Sequence, residues 1–230
     1  RVHRGEISSL IGPNGAGKTT VFNVVTGIYK PDSGTVVFQG ENITGRRPYQ
    51  IVERGIARTF QNIRLFANLT CLENVMAGRH VRTQSGLGGA LFRPRSQVLE
   101  ERETRRAAEK RLTQVGLAES QHELARNIPY GRQRMLEIAR ALATSPRLVV
   151  LDEPSSGLNP RETEDLMEFI TGIVRDEHLT ILLIEHDMNV VMGISDWVTV
   201  MDGGRKIAEG PPRQIYHDPR VIEAYLGGGP

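Results

Sequence analysis

The run Gly12-Pro13-Asn14-Gly15-Ala16-Gly17-Lys18-Thr19 constrains the fold of this chain more than any other feature. It satisfies G-x-x-x-x-G-K-[ST] at every position, a pattern whose glycines let the main chain fold back until successive N–H groups point inward at a phosphate. The helix that follows adds the positive end of its dipole. The context fits, because Glu6–Ile11 is a short, mostly apolar run of strand character and Lys18–Thr26 has helical character. Gly12, Pro13, Asn14, Gly15, Ala16, Gly17, Lys18, Thr19 and Thr20 are therefore expected to hold the phosphates of ATP. Lys18 would span the β- and γ-phosphates, and the Thr19 hydroxyl would ligate Mg²⁺.

Two continuous apolar runs of strand length, Leu148–Leu151 and Leu179–Ile184, have the signature of strands buried on both faces of a parallel sheet. Asp152 and Glu153 follow the first directly, at the strand end where open α/β sheets bind ligands. Asp152 is expected to partner Mg²⁺, directly or from just outside its ligands, and Glu153 to orient and deprotonate a water attacking the γ-phosphate. An acid pair alone is often a solvated strand cap; beside a phosphate loop it carries more weight. His186 follows the second run in Ile184-Glu185-His186-Asp187. A lone histidine is usually a surface residue, but parallel strands deliver their ends to one edge, so His186 can reach the same γ-phosphate as Glu153. Between the runs a helix is expected, with Asn159 as cap, Pro160 in its first position, Glu162 at the reciprocal capping position and Leu166, Ile170 and Ile173 at helical spacing.

The remaining chain reads as additions to that core. Thr35–Gln39 is β-rich, Pro48–Arg54 can start a helix, and Thr70 with Glu73 has the spacing of a capping box. Arg79–Pro94 is a basic, glycine-containing stretch expected to be a solvated connector, followed by a long helix over Gln97–Val115 with Leu99, Leu112 and Val115 on one face. Against 27 Asp and Glu, 29 Lys and Arg leave a net charge of +2, which supplies no broad cationic field for nucleic acid. Cys71 is the single cysteine, so no internal disulfide forms. No run of 18 apolar residues is present, so any service to a membrane is expected from outside the bilayer.

With these motifs in place, the chain resembles the nucleotide-binding subunits of ABC transporters over nearly all of its length. Gln61, in Thr59-Phe60-Gln61-Asn62, matches the family's Q-loop glutamine, which contacts Mg²⁺ and the attacking water. Ile128-Pro129-Tyr130-Gly131-Arg132-Gln133-Arg134 aligns with the signature L-S-G-G-Q-Q-R, Ser155-Ser156-Gly157-Leu158-Asn159 with the D-loop, and His186 with the switch histidine. Pro129 stands where the signature serine normally touches the γ-phosphate of the opposing nucleotide, Arg132 replaces a glutamine and Asn159 an aspartate. That contact would then rest on Gly131 and the helix N-terminus, with Arg132 either joining them or pointing into solvent. The departures are similar to the branched-chain amino-acid importer branch, as are Leu136–Leu142, Gly157–Pro160, Ile184–Met188 and Val221–Gly227.

The resemblance implies an α/β P-loop NTPase cassette. A RecA-like parallel-sheet core over 1–61 and 147–230 would carry a partial antiparallel β subdomain, and 62–146 would form a helical subdomain bearing the signature. It implies ATP hydrolysis with Mg²⁺, in a dimer with an identical or different second cassette. The dimer would drive uptake of leucine, isoleucine, valine or related solutes through transmembrane permease subunits, served indirectly by a solute-binding protein. The place would be the cytoplasmic face of the inner membrane. Alternatives are another cargo, such as urea or a lipopolysaccharide-type lipid, or a soluble ABC ATPase outside transport. The family stacks an upstream aromatic on adenine, yet Arg1–Leu10 holds no Phe, Tyr or Trp. That residue and the first antiparallel strands are expected before Arg1. The strand at Thr35–Gln39 is accordingly expected to lack a neighbour, and ATP to be held mainly by its triphosphate with little preference over GTP.

Overall fold

A computed structural model describes residues 1–80 and 95–226. It divides into two compact units, Arg1–Gln61 with Arg147–Pro230, and Asn62–Pro146. In the first unit the chain forms β1 (Ile7–Ile11), α1 (Lys18–Val25), β2 (Val37–Phe38), β3 (Glu41–Asn42), α2 (Pro48–Glu53) and β4 (Ile56–Arg58). The second unit supplies α3 (Cys71–Arg79), α4 (Arg95–Gln114), a 3₁₀ turn at Ala125–Asn127 and α5 (Tyr130–Ala143). The first unit resumes with β5 (Leu148–Asp152), α6 (Pro160–Glu177), β6 (Thr180–Ile184), α7 (Met188–Ile194), β7 (Trp197–Asp202), β8 (Arg205–Gly210), α8 (Pro212–Tyr216) and α9 (Pro219–Leu226).

Six strands of the first unit form one sheet in the order β4-β5-β6-β1-β7-β8, parallel except for the β7–β8 pair. Every residue of β1 and β5 is buried, which is why the Leu148–Leu151 part of β5 reads as an unbroken apolar run, whereas β1 buries Ser8 and Ser9 among its apolar residues. Leu10, Phe22, Ile51, Ile56, Val150 and Ile184 belong to one core cluster, and Ile11, Val191, Val198, Val200, Ala208 and Ile215 to another. Because β1, β5 and β6 run in parallel, the phosphate loop, the acid pair and His186 all leave the sheet at one edge. The α6 cap forms as expected: Asn159 Oδ1 accepts the Glu162 N–H at 3.0 Å, and Glu162 Oε2 accepts the Asn159 N–H at 2.9 Å.

Two expectations are corrected. The Thr35–Gln39 segment does have a neighbour: β2 pairs antiparallel with β3, Val37 opposite Asn42 and Phe38 opposite Glu41. Gln39 and Gly40 both have positive φ, 52° and 83°, and close a two-residue hairpin. In the second unit Leu99 is 59% exposed while Leu112 and Val115 are buried. The thirteen residues from Leu99 to Leu112 make about 3.6 turns, which leaves the two on nearly opposite faces. The buried stripe is instead Thr104, Ala108 and Leu112. The basic stretch expected as a connector lies outside the described residues over 81–94.

Thr70 and Glu73 build their capping box at the start of α3, with the Thr70 hydroxyl accepting the Glu73 N–H at 3.2 Å. The second unit is closed by a buried ion pair on α5. Arg134, 0% exposed, donates to Glu137 Oε2 at 3.1 Å and to the Tyr130 hydroxyl at 3.2 Å. Glu137 Oε1 in turn accepts the Arg64 N–H at 3.2 Å. Asn74, also buried, donates to the Phe66, Leu69 and Thr70 carbonyls and accepts the Phe66 N–H, fixing the segment that enters α3.

Candidate active site

The phosphate loop turns tightly because its glycines permit it. Gly12 has φ 149°, and a Cβ there would lie 2.0 Å from the Met201 carbonyl oxygen, so the loop can pass β7 only as glycine. Gly17, at φ 96°, leads into α1 from a left-handed conformation that side chains rarely adopt. The first N–H groups of an α-helix such as α1 have no acceptor inside the helix and can serve a ligand at its N-terminus. Asn14, Gly15, Thr19 and Thr20 are exposed, whereas Ala16 is buried. The Lys18 ammonium is buried against the loop, donating to the Gly12 carbonyl at 2.6 Å and the Pro13 carbonyl at 2.9 Å. Burial pushes its pKa below the ordinary lysine value, and the Glu153 carboxylate pulls it partly back.

Glu153 begins where β5 ends. Its N–H extends the ladder by donating to the Ile184 carbonyl at 2.9 Å, and its main chain then turns through φ 47°. A left-handed conformation at a residue with a Cβ costs roughly 1–2 kcal/mol, and such strain is tolerated mainly where surrounding bonds fix it. The turn aims the carboxylate along the sheet edge. Glu153 Oε2 accepts a hydrogen bond from Gln61 Nε2 at 2.9 Å and lies 3.5 Å from His186 Nδ1. Three residues from distant parts of the chain thus meet at one oxygen. His186 is 62% exposed and Gln61 is exposed, so the cluster lies at the surface.

Asp152 is buried and its Oδ2 accepts from Arg58 at 2.7 Å, a partner that sequence reasoning missed. Arg58 ends β4, reaches Asn23 Oδ1 on α1 at 2.7 Å and Oγ1 of Thr26, the C-cap of α1, at 3.0 Å, and lies over the rings of Phe22 and Phe60. It therefore braces the acid pair against the helix that leaves the phosphate loop. A cation closing the otherwise apolar Ile56-Ala57 strand was the one available signal. Glu185, also missed, is buried beside His186, with its side chain on the Ser155 N–H at 2.9 Å.

The signature residues Pro129, Tyr130, Gly131, Arg132 and Gln133 form the start of α5, with Pro129 as N-cap and no side-chain cap. Gln133 Nε2 turns back to the Ile128 carbonyl at 2.9 Å. Arg132 donates to Ser120 Oγ at 3.1 Å within its own unit, so its guanidinium is engaged rather than simply solvated. Ser156, Gly157, Leu158 and Asn159 make the turn from Glu153 into α6, with Ser156 N–H on the Glu153 carbonyl at 3.2 Å and Leu158 N–H on the Ser155 carbonyl at 3.1 Å.

Residues 1–156 match a family model described as ABC transporter, and residues 205–230 one described as branched-chain amino acid ATP-binding cassette transporter. The high-affinity branched-chain amino acid transport ATP-binding protein LivG of Escherichia coli (strain K12) is 47% identical over 222 residues, covering 96% of this chain and 87% of that protein. The corresponding protein BraF of Pseudomonas aeruginosa is 44% identical over 227 residues, covering 99% and 89%. A crystal structure of the ADP conformation of an ATP-binding cassette of an ABC transporter matches with a TM-score of 0.84 at 33% identity, covering 98% of this chain and 89% of that one. The family model spans more than half of the chain and these relatives nearly all of it, so the chain belongs to the ATP-binding cassette family of ABC transporters and is an ATPase of that family.

Proposed function

We propose that this chain energises uptake of branched-chain amino acids, working as one of two cassettes that close around ATP and act on separate permease subunits at the cytoplasmic face of the membrane. The observation that carries the catalytic part is the convergence of Gln61 and His186 on Glu153 Oε2 beside the phosphate loop. The names of LivG and BraF carry the cargo. Among the described residues no helix is long and apolar enough to cross a membrane, which is compatible with a peripheral motor.

In this mechanism the loop amides and Lys18 bind the phosphates, with the ammonium leaving the Gly12 and Pro13 carbonyls for the β- and γ-phosphate oxygens. Glu153, held at one oxygen by Gln61, offers the other to a water and accepts its proton as that water attacks the γ-phosphorus. His186, 3.5 Å from Glu153 Oε2, would donate to the γ-phosphate and steady the water's carboxylate base. Thr19, Asp152 and the Gln61 amide oxygen are hard oxygen donors suited to Mg²⁺, while the Gln61 NH₂ donates to Glu153. The ion would offset charge on the β- and γ-phosphates. Gly131 and the N-terminus of α5 would complete the site on the opposing cassette, and hydrolysis would release the pair.

The test is reconstitution of the chain with its copurifying membrane subunits in lipid vesicles. ATP-dependent uptake of leucine, isoleucine or valine supports the proposal. Hydrolysis coupled instead to urea or lipid movement overturns the cargo while leaving the ATPase chemistry intact.

A further inference from the structure

The ends of β5 and β6 are joined by three successive contacts. The Ile184 carbonyl accepts the Glu153 N–H at 2.9 Å, the Glu185 side chain accepts the Ser155 N–H at 2.9 Å, and His186 Nδ1 faces Glu153 Oε2 at 3.5 Å. The middle member has no place in the chemistry described above. The Glu185 side chain is 0% exposed, and its second oxygen accepts the His186 N–H at 3.2 Å and lies 3.9 Å from His186 Nδ1. A carboxylate withdrawn from water is costly unless its oxygens are hydrogen-bonded. Here Oε1 serves the first residue of the D-loop and Oε2 the main chain of the switch histidine. Glutamate is the side chain of this length that brings two acceptors and no donor, which is what two converging N–H groups require.

We propose that Glu185 is a positioning residue for ATP hydrolysis, its buried carboxylate clamping the Ser155 and His186 main chains so that His186 stays set against Glu153. The inference rests on the proposed roles of Glu153 and His186. Glu185 touches no nucleotide; it acts through His186, tying that residue's main chain to the Ser155 N–H so that its ring stays set against the base. Ser156 N–H on the Glu153 carbonyl closes the same small ring of bonds from the other side.

Glu185→Gln keeps the shape but replaces one acceptor by a donor, leaving one of the two N–H groups unpaired. Steady-state ATP hydrolysis by the whole protein, measured for Glu185→Gln, His186→Ala and the double variant, tests the clamp. The expected result is a fall in kcat of about tenfold for Glu185→Gln with KM for ATP within about twofold, because the phosphate loop is untouched. In the His186→Ala background the same change should lower kcat by less than about twofold more, since a residue acting through His186 has nothing left to position. Glu185→Asp, with both acceptors on a shorter stem, should recover part of the loss, and it supplies the same cycle if Glu185→Gln does not fold. A kcat for Glu185→Gln within twofold of the parent, or losses that multiply in the double variant, overturns the inference. Turnover unchanged in His186→Ala overturns the role of His186 itself and the clamp with it. A loss in His186→Ala beside an inert Glu185→Gln overturns the clamp alone.

Discussion

At the phosphate loop the main chain itself sets the geometry. Gly12 presses against the Met201 carbonyl, Ala16 N–H returns to Pro13, and Lys18 reaches back only as far as the carbonyls five and six residues before it. At the start of the signature helix buried side chains set it instead. Pro129 opens α5 without a side-chain cap, and what fixes its first turn is an ion pair wholly withdrawn from water, Arg134 on Glu137, with Tyr130 bound to the one and the Arg64 N–H to the other. One region presents its main chain to a ligand and depends on glycines. The other presents a helix end and depends on buried charge.

Glu153→Gln should break the comparison hardest on the catalytic side. Turnover at saturating ATP should fall by about 10²- to 10⁴-fold, the range for a positioned base, while nucleotide binding and the melting transition stay in place. Hydrolysis within threefold of the parent would remove Glu153 from the role of base.

Arg134→Met should do the opposite. Leaving Glu137 buried without its partner should cost about 3–5 kcal/mol of stability, whereas replacing both with apolar residues of similar volume should recover most of it. Denaturant titration of the single and double variants decides this, and a single variant as stable as the parent would show that the buried pair does not hold α5.

Lys18→Ala sharpens the contrast between binding and stability. A charge-assisted bond to phosphate is worth roughly 1.5–3 kcal/mol, so ATP affinity should fall by about ten- to a hundredfold. Stability should not fall with it. Burial holds the Lys18 pKa below its unfolded value, so the unfolded chain binds that proton more tightly; the ammonium opposes folding at neutral pH, and this cost fades as pH rises toward 10.5. Equal losses of affinity and melting temperature would contradict this separation.

Arg132→Ala should have the smallest effect. Its guanidinium is exposed and bonded to Ser120 in its own unit, an arrangement worth less than about 1 kcal/mol. ATP-driven pairing of the Glu153→Gln variant, by light scattering or gel filtration, should be nearly unchanged. A loss of pairing would mean that Arg132 leaves Ser120 to meet the opposing nucleotide.

The phosphate loop, the buried strands, the α6 cap and the capping box at Thr70 were all legible before any coordinates, because each is written in residues within about one turn of one another. The Gln39-Gly40 hairpin was equally local and was missed, since Gln39 is an unusual residue at positive φ and gives no turn signal of the Asn-Gly kind. Leu99 was misplaced because three apolar residues in a charged helix suggest a face that their spacing does not support.

Residue order alone determined that this chain makes a parallel α/β core with a phosphate cradle, because backbone geometry, strand burial and helix capping are set by neighbours along the chain. Tertiary structure alone decided which side chains stand around the acid pair. Arg58 and Asp152 are 94 residues apart, Gln61 and Glu153 are 92 apart, and Glu185 reaches Ser155 across 30. Such pairs form only when strand register brings β4, β5 and β6 side by side. A buried carboxylate looks the same in a sequence whether it braces an arginine, activates a water or clamps two amides. Its role is set by the partners that the sheet places around it.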